Sequence, residues 1–192
     1  MIDIPEGTRI IIVEGIAGAG KTTLMKQLAE RYVDRNIYIF WEQELLLSWK
    51  HIHVPHISSL RLDFFNHFLD HVERKIREEE DTIFIFERFH LSIKILEWEF
   101  EREHEARYNR VLSRLKALPV FILITSLERS LIKRRVTHDE RSEQWHDFVS
   151  EKLVLRNFNN LESLSIDQQN QFFKLAREQG IPYASIAVRQ HP

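Results

Sequence analysis

The sequence predicts a three-layer α/β domain with a mainly parallel sheet of about five strands and helices on both faces, and three observations carry that expectation. Short β-branched and aromatic runs alternate along the chain with segments of helical period. The first run ends on Gly15, Gly18 and Gly20, three of the chain's five glycines. Several strand ends carry acids, so charge gathers at one edge of the sheet, where ligands of such sheets bind.

Thr8 to Glu14 reads as a strand buried on both faces, and Thr22 to Arg35 follows as a helix with Leu24, Leu28 and Tyr32 at helical spacing. Asn36 to Trp41 is the second strand, delivering Glu42 and Glu44 at its carboxyl end. A segment with His51, His53 and His56 then leads to a helix from about Ser58 to Glu80. Asp81 to Phe86 is the third strand and runs directly into Glu87-Arg88-Phe89. One long amphipathic helix is expected from about Ser92 to Lys116, then a strand from Leu118 to Ile124 and a basic helical stretch with Lys133, Arg134 and Arg135. Ser165, with Gln168 three residues on, is the expected N-cap of a last helix ending at Gly180, before a strand from Tyr183 to Val188.

The chain's 192 residues fit one domain spanning 1–192, with no repeat or linker. With 27 Lys+Arg against 29 Asp+Glu, the net charge of -2 gives no bulk attraction to nucleic acid or to a membrane surface. No cysteine is present, which excludes a disulfide framework and a thiolate nucleophile. No spanning run or basic leader is visible, so a soluble, unexported, cytoplasmic protein is expected.

Gly15-Ile16-Ala17-Gly18-Ala19-Gly20-Lys21-Thr22 satisfies G-x-x-x-x-G-K-[ST] between a strand and a helix, the Walker A context of a phosphate loop. Backbone N–H groups of such a loop curl around phosphate, the helix N-terminus adds positive charge, Lys21 reaches the terminal phosphates and Thr22 can ligate Mg²⁺. Glu87 and Arg88 at the third strand end supply a carboxylate for metal and a guanidinium for moving charge. Phosphoryl transfer asks for this positioning and charge stabilisation more than for covalent chemistry.

The spacing Gly15-x-x-Gly18-x-Gly20-Lys21-Thr22-Thr23 after Val13-Glu14, together with Glu87-Arg88-Phe89-His90-Leu91-Ser92, resembles the thymidylate kinase and deoxynucleoside kinase group of P-loop kinases. The resemblance implies an ATP-dependent phosphotransferase acting on a nucleoside or nucleoside monophosphate. It places Glu87 in the magnesium-phosphate region and Arg88 on the phosphoacceptor end of the substrate. It also places a carboxylate after the second strand, facing the acceptor hydroxyl or sugar. The interval from Glu44 to Trp49 favours Glu44, the hydrophobic run ending at Trp41 favours Glu42, and the choice stays open. Lys133-Arg134-Arg135 and Arg141 resemble the arginine-bearing lid, about residues 133–145, which would close over the transferred phosphate; Arg134 is expected on the nucleotide, Arg135 and Arg141 on the moving phosphoryl group.

Two departures turn the resemblance away from thymidylate itself. Ala17 stands where thymidylate kinases commonly carry an acid near the substrate sugar, and Asn66 about where a phosphate-binding arginine is expected. A nucleoside, another nucleotide or a non-nucleoside alcohol stays open as acceptor, as do ATP or GTP as donor and a homodimer. A regulatory GTPase would carry D-x-x-G and N-K-x-D, and neither string occurs. A nucleotide-binding module that has lost transfer is separated from an enzyme only by turnover. The histidines around His51 to His56 and at His67 and His71 lack the closed ligand set of a transition-metal site. Phe64, Phe65, Phe68, Trp98 and Phe100 lie mostly at helical spacing and read as core, with some free to line a base pocket.

Overall fold

The computed structural model describes residues 2–45, 57–96, 102–136, 150, 153–154 and 157–188. The strands are β1 (Ile10–Gly15), β2 (Asn36–Phe40), β3 (Thr82–Glu87), β4 (Val120–Leu127) and β5 (Tyr183–Val188). They form one sheet in the order β2-β3-β1-β4-β5, with every pairing parallel. The helices are α1 (Lys21–Arg31), α2 (Glu42–Leu45), α3 (Ile57–Glu78), α4 (His90–Leu96), α5 (Arg102–Lys116), α6 (Arg129–Val136) and α7 (Leu161–Gln179).

The central strands are buried at every position and apolar through their middles because both their faces are covered. Ile11, Val13, Ile83, Ile85, Phe121 and Leu123 pack with Leu24, Met25 and Leu28 of α1. The alternate residues Ile10, Ile12, Phe84, Phe86, Ile122 and Ile124 belong to a larger core with Leu62 and Phe65 of α3, Tyr108 of α5 and Phe172 of α7. Strand period 2 thus splits each run between two helix layers. The order brings β1 between β3 and β4, so the loop after β1 stands beside the ends of both.

Two expectations change. The helix expected from Ser92 to Lys116 is divided into α4 and α5, with residues 97–101, including Trp98 and Phe100, outside the described residues. Lys94 Nζ donates to Glu105 Oε1 at 2.8 Å, whereas eleven residues of one continuous helix would separate their backbones by about 16 Å. The cap of α7 is Asn160, whose Oδ1 accepts the Ser163 amide at 2.8 Å. Ser165 lies inside the helix and is buried. Its Ser-x-x-Gln spacing imitates a cap, but burial of Leu164 and Gln168 on the same face extends the helix back past it. The helix does end at Gly180, in the left-handed region at φ 70°. No described helix is long and apolar enough to cross a membrane.

Candidate functional site

At the carboxyl edge of the sheet, β1 closes on Gly15 at φ 140°. A Cβ there would stand 2.3 Å from the backbone oxygen of Thr125 on β4, so only glycine lets the loop leave the strand at this point. The loop then enters α1 through Gly20, at φ 76°, with no side chain capping the first amides of the helix. Those amides keep their hydrogen-bonding capacity for an anion.

Lys21, the first residue of α1, is buried, and its Nζ donates to the Ile16 carbonyl at 3.1 Å. Burial, followed by the nearby Arg88 guanidinium, lowers its ammonium to about 7, against the pull of Glu42, Glu87 and Glu14. Thr22 Oγ1 donates to Glu87 Oε1 at 3.1 Å, and the other oxygen of Glu87 takes the Glu42 amide at 3.4 Å. The carboxylate after β3 therefore joins the start of α1 to the start of α2. A hydroxyl and a carboxylate side by side are hard oxygen donors, the set that fits Mg²⁺.

Arg88 follows at φ 64°, unusual for a residue with a side chain. Its amide donates to the Val13 carbonyl at 2.9 Å, and Nη1 donates to the Gly15 carbonyl at 3.0 Å and to Ser92 Oγ at 3.2 Å. Nε lies 2.9 Å from Glu42 Oε2, but its N–H does not point along that line, so the contact is an ion pair that leaves the buried N–H without an aligned acceptor. Glu44 is directed elsewhere: its Oε2 accepts the Trp41 amide at 2.8 Å, closing the first turn of α2 on itself.

Beneath Arg88 lies Glu14, the last residue of β1 before the loop and fully buried. Its Oε1 accepts the amides of Phe89 at 2.9 Å and Ser92 at 3.3 Å, and its Oε2 accepts the Ser92 hydroxyl at 2.5 Å. Burial pushes this carboxyl above the usual range against those donors and Arg88. On the far side of the same turn, the His90 ring meets Gln179 Oε1 of α7 at 2.9 Å, and Gln179 Nε2 donates to the Tyr108 hydroxyl. His90 Nδ1 is buried with no partner, and burial lowers this imidazole to about 4.

The structure thus brings Gly15, Ile16, Gly20, Lys21, Thr22, Glu42, Glu87 and Arg88 together, and separates Glu42 from Glu44. Arg134 and Arg135 of α6 border a groove that opens beside Gly20 and Thr23 and is walled by Thr125 and Val188. Arg141, Trp49, His51, His53 and His56 lie outside the described residues. His67 and His71 are on α3, where His67 faces Asp70 at 3.8 Å and His71 meets Arg74 at 3.3 Å. Asn66 faces α5, its Oδ1 accepting from Arg114 Nη1 at 3.3 Å, in a seam that Asp70 and Glu73 share. Phe65 is stacked on Phe89 with centroids 4.0 Å apart, inside the core.

Sequence reasoning placed Glu14 at the edge but gave it no task, and it left Ser92, His90 and Thr125 without roles. The available signal was a carboxylate at the end of an otherwise apolar buried strand, which needs donors of its own.

No protein-family model and no curated protein matches the sequence. Among solved structures, the thymidylate kinase of Ehrlichia chaffeensis is 17% identical, with a TM-score of 0.54 over 94% of this chain and 91% of that one. The thymidylate kinase of Candida albicans is 11% identical, with a TM-score of 0.55 over 95% of this chain and 85% of that one. The chain has the P-loop fold of the thymidylate kinases, and at these identities the likeness speaks for the fold alone.

Proposed function

We propose that a chain with this fold is an ATP-dependent phosphotransferase whose acceptor is a nucleoside or nucleoside monophosphate. One observation carries the reading: an uncapped helix N-terminus, the Lys21 ammonium, the Thr22–Glu87 pair and the Glu42–Arg88 pair share one edge of the sheet.

In this reading the amides of the glycine loop and α1 take the β- and γ-phosphates. Lys21 exchanges the Ile16 carbonyl for phosphate oxygens. Thr22 and Glu87 would hold Mg²⁺, which neutralises charge on the phosphates when bound. Arg134 and Arg135 border the side from which a nucleotide base and a closing segment would approach, with Arg141 as a further lid residue.

The Glu42–Arg88 pair favours a hydroxyl at the point of attack. A hydroxyl can accept from the unaligned Nε–H of Arg88 and donate to Glu42 Oε2, whereas a phosphate oxygen would only accept and would face the carboxylate. The acceptor oxygen then forms its bond to the γ-phosphorus as the bond to the bridging oxygen breaks, ADP departs, and the hydroxyl proton passes to Glu42. Glu44, engaged with Trp41, takes no part.

The deciding experiment offers labelled MgATP with a panel of nucleosides, nucleoside monophosphates and small alcohols. Transfer to one class, lost in Lys21→Ala, supports the reading. Nucleotide binding without transfer to any of them would leave a nucleotide-binding protein in place of a kinase.

A further inference from the structure

We propose that Glu14 and Ser92 are positioning residues that fix the guanidinium of Arg88 in the orientation an acceptor meets. The part concerning the acceptor rests on the kinase reading; the part concerning Arg88 does not.

Arg88 sits in the left-handed region, at φ 64°, and a residue with a side chain persists there only where its surroundings hold it. The holding groups all lead back to β1. Val13 accepts the Arg88 amide, Gly15 accepts from the guanidinium, and Glu14 gathers the two amides that follow in the turn, those of Phe89 and Ser92. Three consecutive residues of one strand thus clamp the turn that carries Arg88.

The hydroxyl of Ser92 links the clamp to the guanidinium. A serine hydroxyl has one proton and two lone pairs. Here the proton goes to Glu14 Oε2 at 2.5 Å, which turns a lone pair toward Arg88 Nη1 at 3.2 Å. Glu14 therefore sets the direction in which Ser92 accepts, and Ser92 sets the plane of the guanidinium together with the Gly15 carbonyl. With both Nη1 hydrogens engaged, the edge formed by Nε and Nη2 is left to face Glu42 and whatever binds beside it. Glu14 itself has no exposed surface and acts only through these bonds.

A cap without a positioning task would need only the two backbone amides. The added Ser92 hydroxyl, shared between Glu14 and Arg88, is the feature a structural role leaves unexplained. Ser92→Ala separates the two, because it keeps both amide bonds to Glu14 and removes the link to the guanidinium. Ser92→Thr restores a hydroxyl.

The test uses the full chain and two readouts. The first is the side-chain ¹H–¹⁵N signal of Arg88 Nε, assigned by its loss in Arg88→Lys. In Ser92→Ala its exchange with water should rise about tenfold or more, the scale of one lost hydrogen bond to a charged group, and Ser92→Thr should reverse the change. Glu14→Gln should act in the same direction, with Ser92→Ala deciding if that variant does not fold. The second readout is kinetic: in Ser92→Ala the KM for the best acceptor rises while the KM for MgATP holds. An unchanged Arg88 signal in Ser92→Ala overturns the proposal whether or not the chain transfers phosphate. So does an equal loss toward both substrates accompanied by a lowered melting temperature, the mark of a structural cap. If the parent transfers to no acceptor, the kinase reading fails and the Arg88 signal alone decides the positioning role.

Discussion

Glu42 Oε2 stands 2.9 Å from Arg88 Nε, so an acid placed after β2 and a guanidinium placed after β3 meet across the edge of the sheet. Two residues on, Glu44 bonds the amide of Trp41. The two carboxylates lie two residues apart on α2, about half a turn, and meet different partners.

That separation makes Glu42 and Glu44 distinguishable. Glu42→Gln should lower the transfer rate by roughly 10²–10⁴, the span of a general base. Glu44→Gln should leave it nearly unchanged, because a glutamine oxygen can still accept from Trp41. Equal, small effects on kcat from the two variants would remove the base from the mechanism.

For Lys21→Ala the expectation is loss of MgATP binding with the fold retained. Burial holds this ammonium well below its ordinary range, at about 7, so its charge adds little to the fold, and removal costs mainly the bond to the Ile16 carbonyl and the buried stem. Calorimetric titration gives the binding, and circular dichroism melting should show a cooperative transition within a few degrees of the parent's. Parental affinity in this variant would contradict the phosphate-loop assignment.

Gly15→Ala tests the contact between β1 and β4. The new methyl would meet the backbone oxygen of Thr125 at 2.3 Å and its hydroxyl at 2.5 Å, at a φ that disfavours any side chain. Destabilisation of at least ~3 kcal/mol is expected in urea unfolding. Adding Thr125→Ala should recover little of it, since the nearer obstacle is backbone. Full recovery would show that the hydroxyl alone sets the spacing.

His90 makes stability depend on pH in a stated direction. Its imidazole is lowered by burial to about 4 in the folded chain, against an ordinary 6.5. Between those values the unfolded chain binds a proton that the folded chain does not, so stability falls as pH drops from 6.5 to 4 and the effect levels off below. The window is worth about 3 kcal/mol. The stability difference between pH 7 and pH 4 should therefore be smaller by that amount in His90→Asn, measured by urea unfolding at both values.

The alternation of strands and helices and the phosphate loop were legible because both are local patterns. Burial on two faces leaves a continuous apolar run such as Ile10 to Val13, and the glycine spacing stands inside the strand and helix that give it meaning. What local pattern could not supply were choices made by partners far along the chain. Glu42 and Glu44 follow the same strand, and the contact of Glu42 with Arg88, brought over by β3, is not written in the residues around them. Ser165 has the spacing of a cap, but its burial in α7 depends on packing that its neighbours in sequence do not reveal. The division between α4 and α5 is a tertiary matter of the same kind, expressed in the pair Lys94–Glu105. Glu14 was visible as an acid at a strand end, while its donors, Phe89 and Ser92, come from another strand's turn.

The central position of β1 also bears on how the protein is made. Ile10 pairs with Phe84 on one side and with Val120 on the other, so β1 leaves the ribosome before both of its neighbours and waits for the later of the two. Until β4 emerges, β1 has one open flank and Gly15 has no Thr125 to rest against. Pairings this distant in sequence place folding on the slow side for a domain of this size, and they leave an apolar ribbon uncovered during synthesis. The glycine loop, though it precedes both partners of β1 in the chain, would then be among the last features to reach its working shape.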